Sequence, residues 1–305
     1  EAVDKQFAYW CEQIRGSNDV IDVAHRECKP LPYISSLFED CIERGKCITE
    51  GGAKYNFTAP QAAGIATCAD ALATIKQLMF EEKSVTGDEL LQAIYDNWEG
   101  HEQLYALVNS TKVHHYGNDD DYADELFRFI YESFCRNLNV GENPRGGSYI
   151  PGVYTVNANV GLGLATNASL DGRKKGEPLS DNMGPVHTIG GSHDVSGPTA
   201  LISSVSKVDH SLAMNGTLLN VRFPEEAVSG VEGRDNLVSF VDEYLDKAGM
   251  HVQFNIMSAD KMRKAQKNPE NYKDMLVRVA GYSAYFVELG TPLQNDLIDR
   301  TEFHF

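Results

Sequence analysis

Residues Val277–Gly290 read "VRVAGYSAYFVELG". β-branched and aromatic residues dominate the run, as in a strand, yet a glycine, Gly281, stands at its centre. Glycine inside a strand costs about 0.5–1 kcal/mol relative to alanine. It usually marks a bulge, a tight bend or a close backbone approach. Either Gly281 only lets the chain turn, or its bare Cα has chemistry of its own.

Upstream, "MHVQFNIM" (Met250–Met257) alternates as a strand does. Met250, Val252, Phe254 and Ile256 share one face; His251, Gln253 and Asn255 share the other. A helix is expected around Asn236–Lys247, with Gly249 as its C′ residue. Ser258 is placed to cap a helix that Pro269 follows, and "TPLQ" (Thr291–Gln294) to cap a short final one. From Asn143 to Pro224 the chain is rich in Gly, Ser, Asn and Pro. Its apolar runs "GVYTVNANVGLGLAT", "TALISSVSKV" and "GTLLNVRF" read as strands joined by long loops. "GLGLAT" lacks the third glycine of a dinucleotide fingerprint.

The first half reads as helical. "TAPQ" (Thr58–Gln61) resembles a capping box, followed by a stripe of Ile65, Cys68, Leu72, Ile75 and Met79. Cys68 on that stripe reads as a core residue. "TGDE" (Thr86–Glu89) starts another helix, and "ADELFRFIYESFCRNL" a third, after the acidic run Asp119–Asp121. That run lacks the glycine of a calcium loop and fits the positive end of a helix dipole. His114 and His115 are adjacent, a poor spacing for a metal on one helix face, and read as a solvated loop. No metal site is expected.

With 305 residues and 42% hydrophobic content, the chain can bury a sizeable core. A formal charge of −17 excludes the basic footprint of a nucleic-acid or anionic-membrane binder. No apolar run reaches the roughly 20 residues that span a bilayer. Six cysteines without C-x-x-C spacing suit reduced cytosolic thiols. Four Asn-x-Ser/Thr sequons, at Asn56, Asn109, Asn167 and Asn215, read as chance matches. The opening "EAVDKQFAYWCEQI" has no initiating Met and reads as mid-helix, so an N-terminal part is expected to precede it.

"RVAGYSAYF" (Arg278–Phe286) resembles the radical-bearing segment of the glycyl radical enzymes. Further segments resemble that family in its own order. They are "LFEDCIERGKCITEGGAKYNF" (37–57), "DGRKKGEPLSD" (171–181), "GPTALISSVSKVDH" (197–210), "GTLLNVRF" (216–223), "HVQFNI" (251–256) and "RTEFHF" (300–305). The chemistry explains the residue type. A Cα radical delocalises into the amide nitrogen and the carbonyl only when the Cα is planar, and a Cβ would crowd that form. The bulk of Val279, Tyr282, Tyr285 and Phe286 is expected to screen the radical from water and oxygen.

The resemblance implies a fold: the C-terminal half of a ten-stranded α/β barrel. Residues 1–250 would belong to the barrel and 251–305 to the glycine radical domain. It implies a glycyl radical on Gly281 and no bound cofactor. It also implies a radical S-adenosylmethionine activating enzyme as partner, a small-molecule substrate and a homodimer of the full enzyme. In the family a cysteine in a Gly-Cys-Val/Ile-Glu motif carries the thiyl radical. None of the six cysteines here fits that motif, which places the thiyl cysteine upstream of Glu1, in an N-terminal half. Alone, this chain is then expected to be inactive. A cytoplasmic address follows, with a bacterial microcompartment left open. Leu170 departs from the family, which usually has proline before the Asp of "DGR".

"RVAGYSA" is nearer the lyase and dehydratase branch (diols, choline, hydroxyproline) than pyruvate formate-lyase. Tyr154, Asn157 and Ala158, on an expected barrel strand, are the candidates for reading the substrate. No arginine lies there, which argues against a sulfonate. Arylacetate decarboxylation, fumarate addition, and a spare-part or structural subunit remain alternatives.

Overall fold

The computed structural model describes residues 1–188 and 191–303. The last two residues of "RTEFHF", His304 and Phe305, lie outside them. Twelve α-helices are described. They are α1 (Ala2–Cys28), α2 (Pro32–Ser35), α3 (Cys41–Arg44), α4 (Ile65–Thr74), α5 (Gly87–Tyr95) and α6 (Glu102–Val108), then α7 (Asp121–Leu138), α8 (Ala158–Ala165), α9 (Pro198–Val205), α10 (Gly230–Asp246), α11 (Ala259–Lys267) and α12 (Thr291–Asp299). The described strands are short: β1 (His187–Thr188) with β2 (Gly191–Ser192), β3 (Leu219–Phe223) with β4 (Val252–Ile256), and β5 (Leu276–Arg278) with β6 (Ser283–Tyr285).

The chain divides into two compact units. The first comprises Glu1–Ala62, Tyr131–Gly152 and Ser211–Asn215. Within it α1 is tied by Asp4 to Arg136 at 2.7 Å and by Asp22 to Arg145 at 3.0 Å. Thr58 and Gln61 make parallel bridges to Tyr149 and Gly152, so "TAPQ" is not a cap.

The second unit comprises Ala63–Ile130, Val153–His210 and Gly216–Phe305. In it α4 starts at Ile65 behind Gly64 and continues as a π-helical turn over Ile75–Glu81. The expected stripe is only partly right. The buried face of α4 carries Ala66, Ala69, Asp70, Ala73 and Thr74, while Cys68 and Leu72 are half-buried. Burial pushes the Cys68 thiol up to about 11, in keeping with an inert core thiol. The Thr86 capping box on α5 forms as expected, Glu89 N–H reaching Thr86 Oγ1 at 3.2 Å. Leu78, Leu90, Trp98 and Val113 form one core cluster, and Leu170 packs into it.

The strand reading of the middle segment fails in two of three places. "TALISSVSKV" is α9, opened by Pro198 at its first turn. "GVYTVNANVGLGLAT" makes isolated bridges at Gly152 and Val153 and then turns into α8. Short apolar runs carry too little periodicity to separate strand from helix. "GTLLNVRF" is β3, parallel to β4 with Val221 opposite Phe254. α10 begins six residues earlier than expected, and Ala248, not Gly249, takes the left-handed conformation after it, at φ 63°.

The acidic run is more than a dipole partner. Lys207 Nζ lies 2.7–2.8 Å from Asp119, Asp121 and Asp124. His115 is 5% exposed, not solvated, whereas His114 is half-buried and meets Asp120 at 2.5 Å.

Candidate functional site

β5 and β6 pair antiparallel, Val277 opposite Ala284 and Arg278 opposite Ser283. Val279 N–H closes the turn onto the Tyr282 carbonyl at 2.9 Å. Gly281 sits in this turn at φ 79°, where an L side chain costs about 1–2 kcal/mol. A Cβ built on it would meet nothing within 4 Å. The dihedral therefore demands glycine, and the same open space gives an incoming group access to the hydrogen that a Cβ would replace.

Polar side chains hold the turn from beneath. Gln253 Oε1 accepts the Gly281 N–H at 3.1 Å and Arg278 Nε–H at 3.0 Å. Its amide nitrogen donates to Asn220 Oδ1, and Asn220 donates to Asp181 Oδ2 at 2.5 Å. Asn255 receives the Arg278 N–H at 2.8 Å and returns a bond to the Arg278 carbonyl at 2.5 Å, as a neighbouring strand would. From the far side, Arg300 donates to the Val279 carbonyl at 3.0 Å and to Asp296 at 2.9 Å. Asn159 donates to the second Asp296 oxygen at 3.0 Å.

This ladder is buried and charged. Burial raises the Asp296 carboxyl above its ordinary value, although the Arg300 charge opposes it. Burial disfavours the Arg300 charge, but Asp181 and Asp296 outweigh it and keep the guanidinium firmly protonated. Below lies a core of Met262, Met275, Val277, Val279, Phe286 and Leu297.

Among the described residues the expected screen does not close over Gly281. Val279 and Phe286 point into that core, Tyr285 is 43% exposed, and Gly281 itself is exposed. Of the substrate candidates, Asn157 precedes α8 and its amide lies 3.4 Å from the Tyr282 hydroxyl, beside the glycine turn. Ala158 is the exposed first residue of α8. Tyr154 is half-buried on the connection before it. Between them Val156 adopts φ 58°, a costly conformation for a β-branched residue that often clusters at working loops. Sequence reasoning passed over Gln253, Asn255, Asp296 and Arg300. The alternation of "MHVQFNIM" had marked the polar face of β4, but not what it would hold.

A mixed helix–strand chain that presents an open glycine turn on such a support has the features of a glycine radical protein. Residues 180–287 match the family model described as "Glycine radical", whose modification is a glycyl radical, and residues 1–163 match "Pyruvate formate lyase-like". The chain belongs to the pyruvate formate lyase-like family.

It is 70% identical to (2S)-3-sulfopropanediol dehydratase of Klebsiella oxytoca, over 100% of this chain and 37% of that protein. It is 40% identical to trans-4-hydroxy-L-proline dehydratase of Clostridioides difficile, over 100% of this chain and 38% of that protein. The glycerol-bound B12-independent glycerol dehydratase of Clostridium butyricum superposes with a TM-score of 0.94 at 42% identity, covering 99% of this chain and 38% of the other. The fold is therefore the one expected, a portion of the glycyl radical enzyme barrel. The chain spans somewhat over a third of the length of these relatives. Among the described residues, no helix is long and apolar enough to cross a membrane.

Proposed function

We propose that this chain is the radical-storing portion of a glycyl radical dehydratase, with Gly281 as the radical residue. Residues 251–305 act as the glycine radical domain and 1–250 as part of the barrel. The single observation that carries the reading is 70% identity, across the whole chain, to a dehydratase of a sulfonated diol. The open Gly281 turn supplies a matching local geometry. Losing one Cα hydrogen flattens the carbon, and the unpaired electron spreads over the flanking amide and carbonyl. Gln253 fixes that amide, and Arg300 the carbonyl of Val279 two residues before it.

The substrate class follows: a small vicinal diol bearing a sulfonate. Hydrogen abstraction beside one hydroxyl, loss of the neighbouring hydroxyl as water and return of the hydrogen give an aldehyde. The sequence leaned away from a sulfonate because Tyr154–Ala158 holds no arginine. That stretch is a turn entering α8 rather than a barrel strand, so its lack of arginine carries little weight; Tyr154, Asn157 and Ala158 remain the candidates for contacting the substrate. A radical S-adenosylmethionine activase, a segment bearing the thiyl cysteine, and a dimeric enzyme in the cytoplasm complete the reading.

The test is anaerobic activation of this chain together with the segment that bears the thiyl cysteine, followed by incubation with (2S)-3-sulfopropanediol. Water-eliminating turnover that Gly281→Ala abolishes is expected. Formate from pyruvate and coenzyme A, or carbon dioxide from an arylacetate, with no reaction of the diol, would overturn it.

A further inference from the structure

Away from the glycine hairpin, a second polar cluster lies fully inside the same unit. Asp70 on α4, His115 on the loop before α7, and His193 just after β2 are 0%, 5% and 4% exposed. Asp70 Oδ2 lies 2.9 Å from His193 Nδ1 and 3.3 Å from His115 Nδ1. The two imidazoles lie tilted by 30° with centroids 3.8 Å apart, and both present Nδ1 toward one carboxylate oxygen. One ligand atom from each residue falls within 4.8 Å of the others. Ligands about 2.0–2.2 Å from a zinc ion stand roughly 3–3.5 Å apart, which is the spacing of the Asp70 oxygen from each imidazole nitrogen.

The surroundings suit a metal better than a closed hydrogen-bond network. The His115 ring is buried, and although Asp70 and the Val108 backbone both act on it, neither ring nitrogen makes a well-aligned hydrogen bond. The other carboxylate oxygen of Asp70 is held by the Tyr116 N–H at 2.9 Å, and His193 Nε2 lies 3.3 Å from Asn109 Oδ1. Outer partners of this kind orient a ligating carboxylate and imidazole. Asp171 is also buried, one of its oxygens has no partner, and it lies within electrostatic range of Asp70 and His193. Two carboxylates can thus offset a divalent charge. His115 and His193 form part of the wall of a cavity of about 240 Å³, shared with Asn118, Thr111 and Ser196. That leaves one side of the cluster open for a fourth ligand and a path of entry.

The geometry points to a divalent transition-metal site formed by Asp70, His115 and His193, with its open position facing this cavity. Two imidazoles and one carboxylate are a donor set that Zn²⁺ accepts readily. The site does not depend on the radical reading, because its test needs no turnover.

The protein, as its full chain, is stripped with a chelator and titrated with Zn²⁺ against a fluorescent competitor, then with Co²⁺ followed by visible absorption. One equivalent should bind, and the X-ray absorption edge of the zinc form should show only nitrogen and oxygen neighbours. His115→Gln, which keeps volume and polarity, should weaken binding by more than the roughly 10–100-fold that loss of an outer partner costs. The exposed-histidine control His25→Ala should not change it. Failure of the stripped protein to take up an equivalent, unchanged affinity in folded His115→Gln, or sulfur in the zinc shell would each overturn the site. The sulfur result would assign the metal to cysteine and would not need the variant to fold.

Discussion

At the residue scale, two glycines separate what conformation demands from what space demands. Gly281 needs its positive φ but has open surroundings; a Cβ on Gly249 would sit 2.3 Å from the buried Tyr244 ring. Gly281→Ala should therefore cost about 1–2 kcal/mol, the penalty of the left-handed backbone. Gly249→Ala should cost toward the upper end of the about 1–3 kcal/mol typical of an overpacked core. Denaturant unfolding of both variants checks the order, and a Gly281→Ala protein less stable than Gly249→Ala would contradict it. Cysteines divide in a similar way. Burial pushes the Cys47 thiol up, but its hydrogen bond with Ser35 and those from Thr49 and the Leu31 N–H outweigh it and bring it down to about 7. Cys68, pushed up to about 11, has no such help. Alkylation of Cys47 should rise through pH 7 while Cys68 stays unreactive at that pH. Ser35→Ala should shift the Cys47 midpoint upward, and a midpoint indifferent to that change would show that the hydrogen bond does not stabilise the thiolate.

At the scale of elements, β4 works through the face that a core-first reading ignores. Asn255 stands in for a strand neighbour of β5, giving one bond to the Arg278 carbonyl and taking one from its N–H. Asn255→Ala removes both, at about 1 kcal/mol each. Amide exchange at Arg278 should quicken while exchange at Val221, in the β3–β4 pair, stays slow; equal loss of protection at both would mean a general loss of stability instead. How much of this was legible follows from the kind of signal. The Thr86 capping box and the alternation of "MHVQFNIM" are local patterns, and both elements form where expected. "TALISSVSKV" and "GVYTVNAN" are short and apolar, so tertiary surroundings decided between helix, turn and strand. Thr58 has the right residue type for a cap, but its backbone pairs with Tyr149 instead. The glycine itself was legible as a break in a strand pattern. Its support was not, because Asn220, Gln253, Asp296 and Arg300 come together only through long-range contacts. His115 was misread for the same reason: its partners Asp70 and His193 are distant in sequence.

At the scale of the whole molecule, the radical reading makes a prediction that separates storage from turnover. A stored radical needs only the Gly281 hairpin and its support, all of which lie in one compact unit of this chain. Turnover also needs a thiyl relay. Of the six cysteines only Cys68 shares the unit with Gly281, and burial holds its thiol protonated. The other five, Cys11, Cys28, Cys41, Cys47 and Cys135, fall in the other unit, and none has the Gly-Cys-x-Glu context. The 305 residues alone should therefore accept a radical from the activase without consuming diol. Electron paramagnetic resonance should show a doublet from the one hydrogen left on Gly281. Because the glycine is exposed in this chain, with Tyr285 open beside it rather than over it, oxygen should reach the radical quickly. The peroxyl radical formed there breaks the backbone at that residue, so admitting air should release a fragment beginning near Tyr282, resolved by intact mass. Adding the segment that bears the thiyl cysteine should bring turnover and slow the cleavage, since a covering surface then replaces open solvent. Turnover by the 305 residues alone would place the relay on one of these six thiols. An activated chain that shows no doublet and stays whole in air would leave Gly281 as the turn residue its φ already explains.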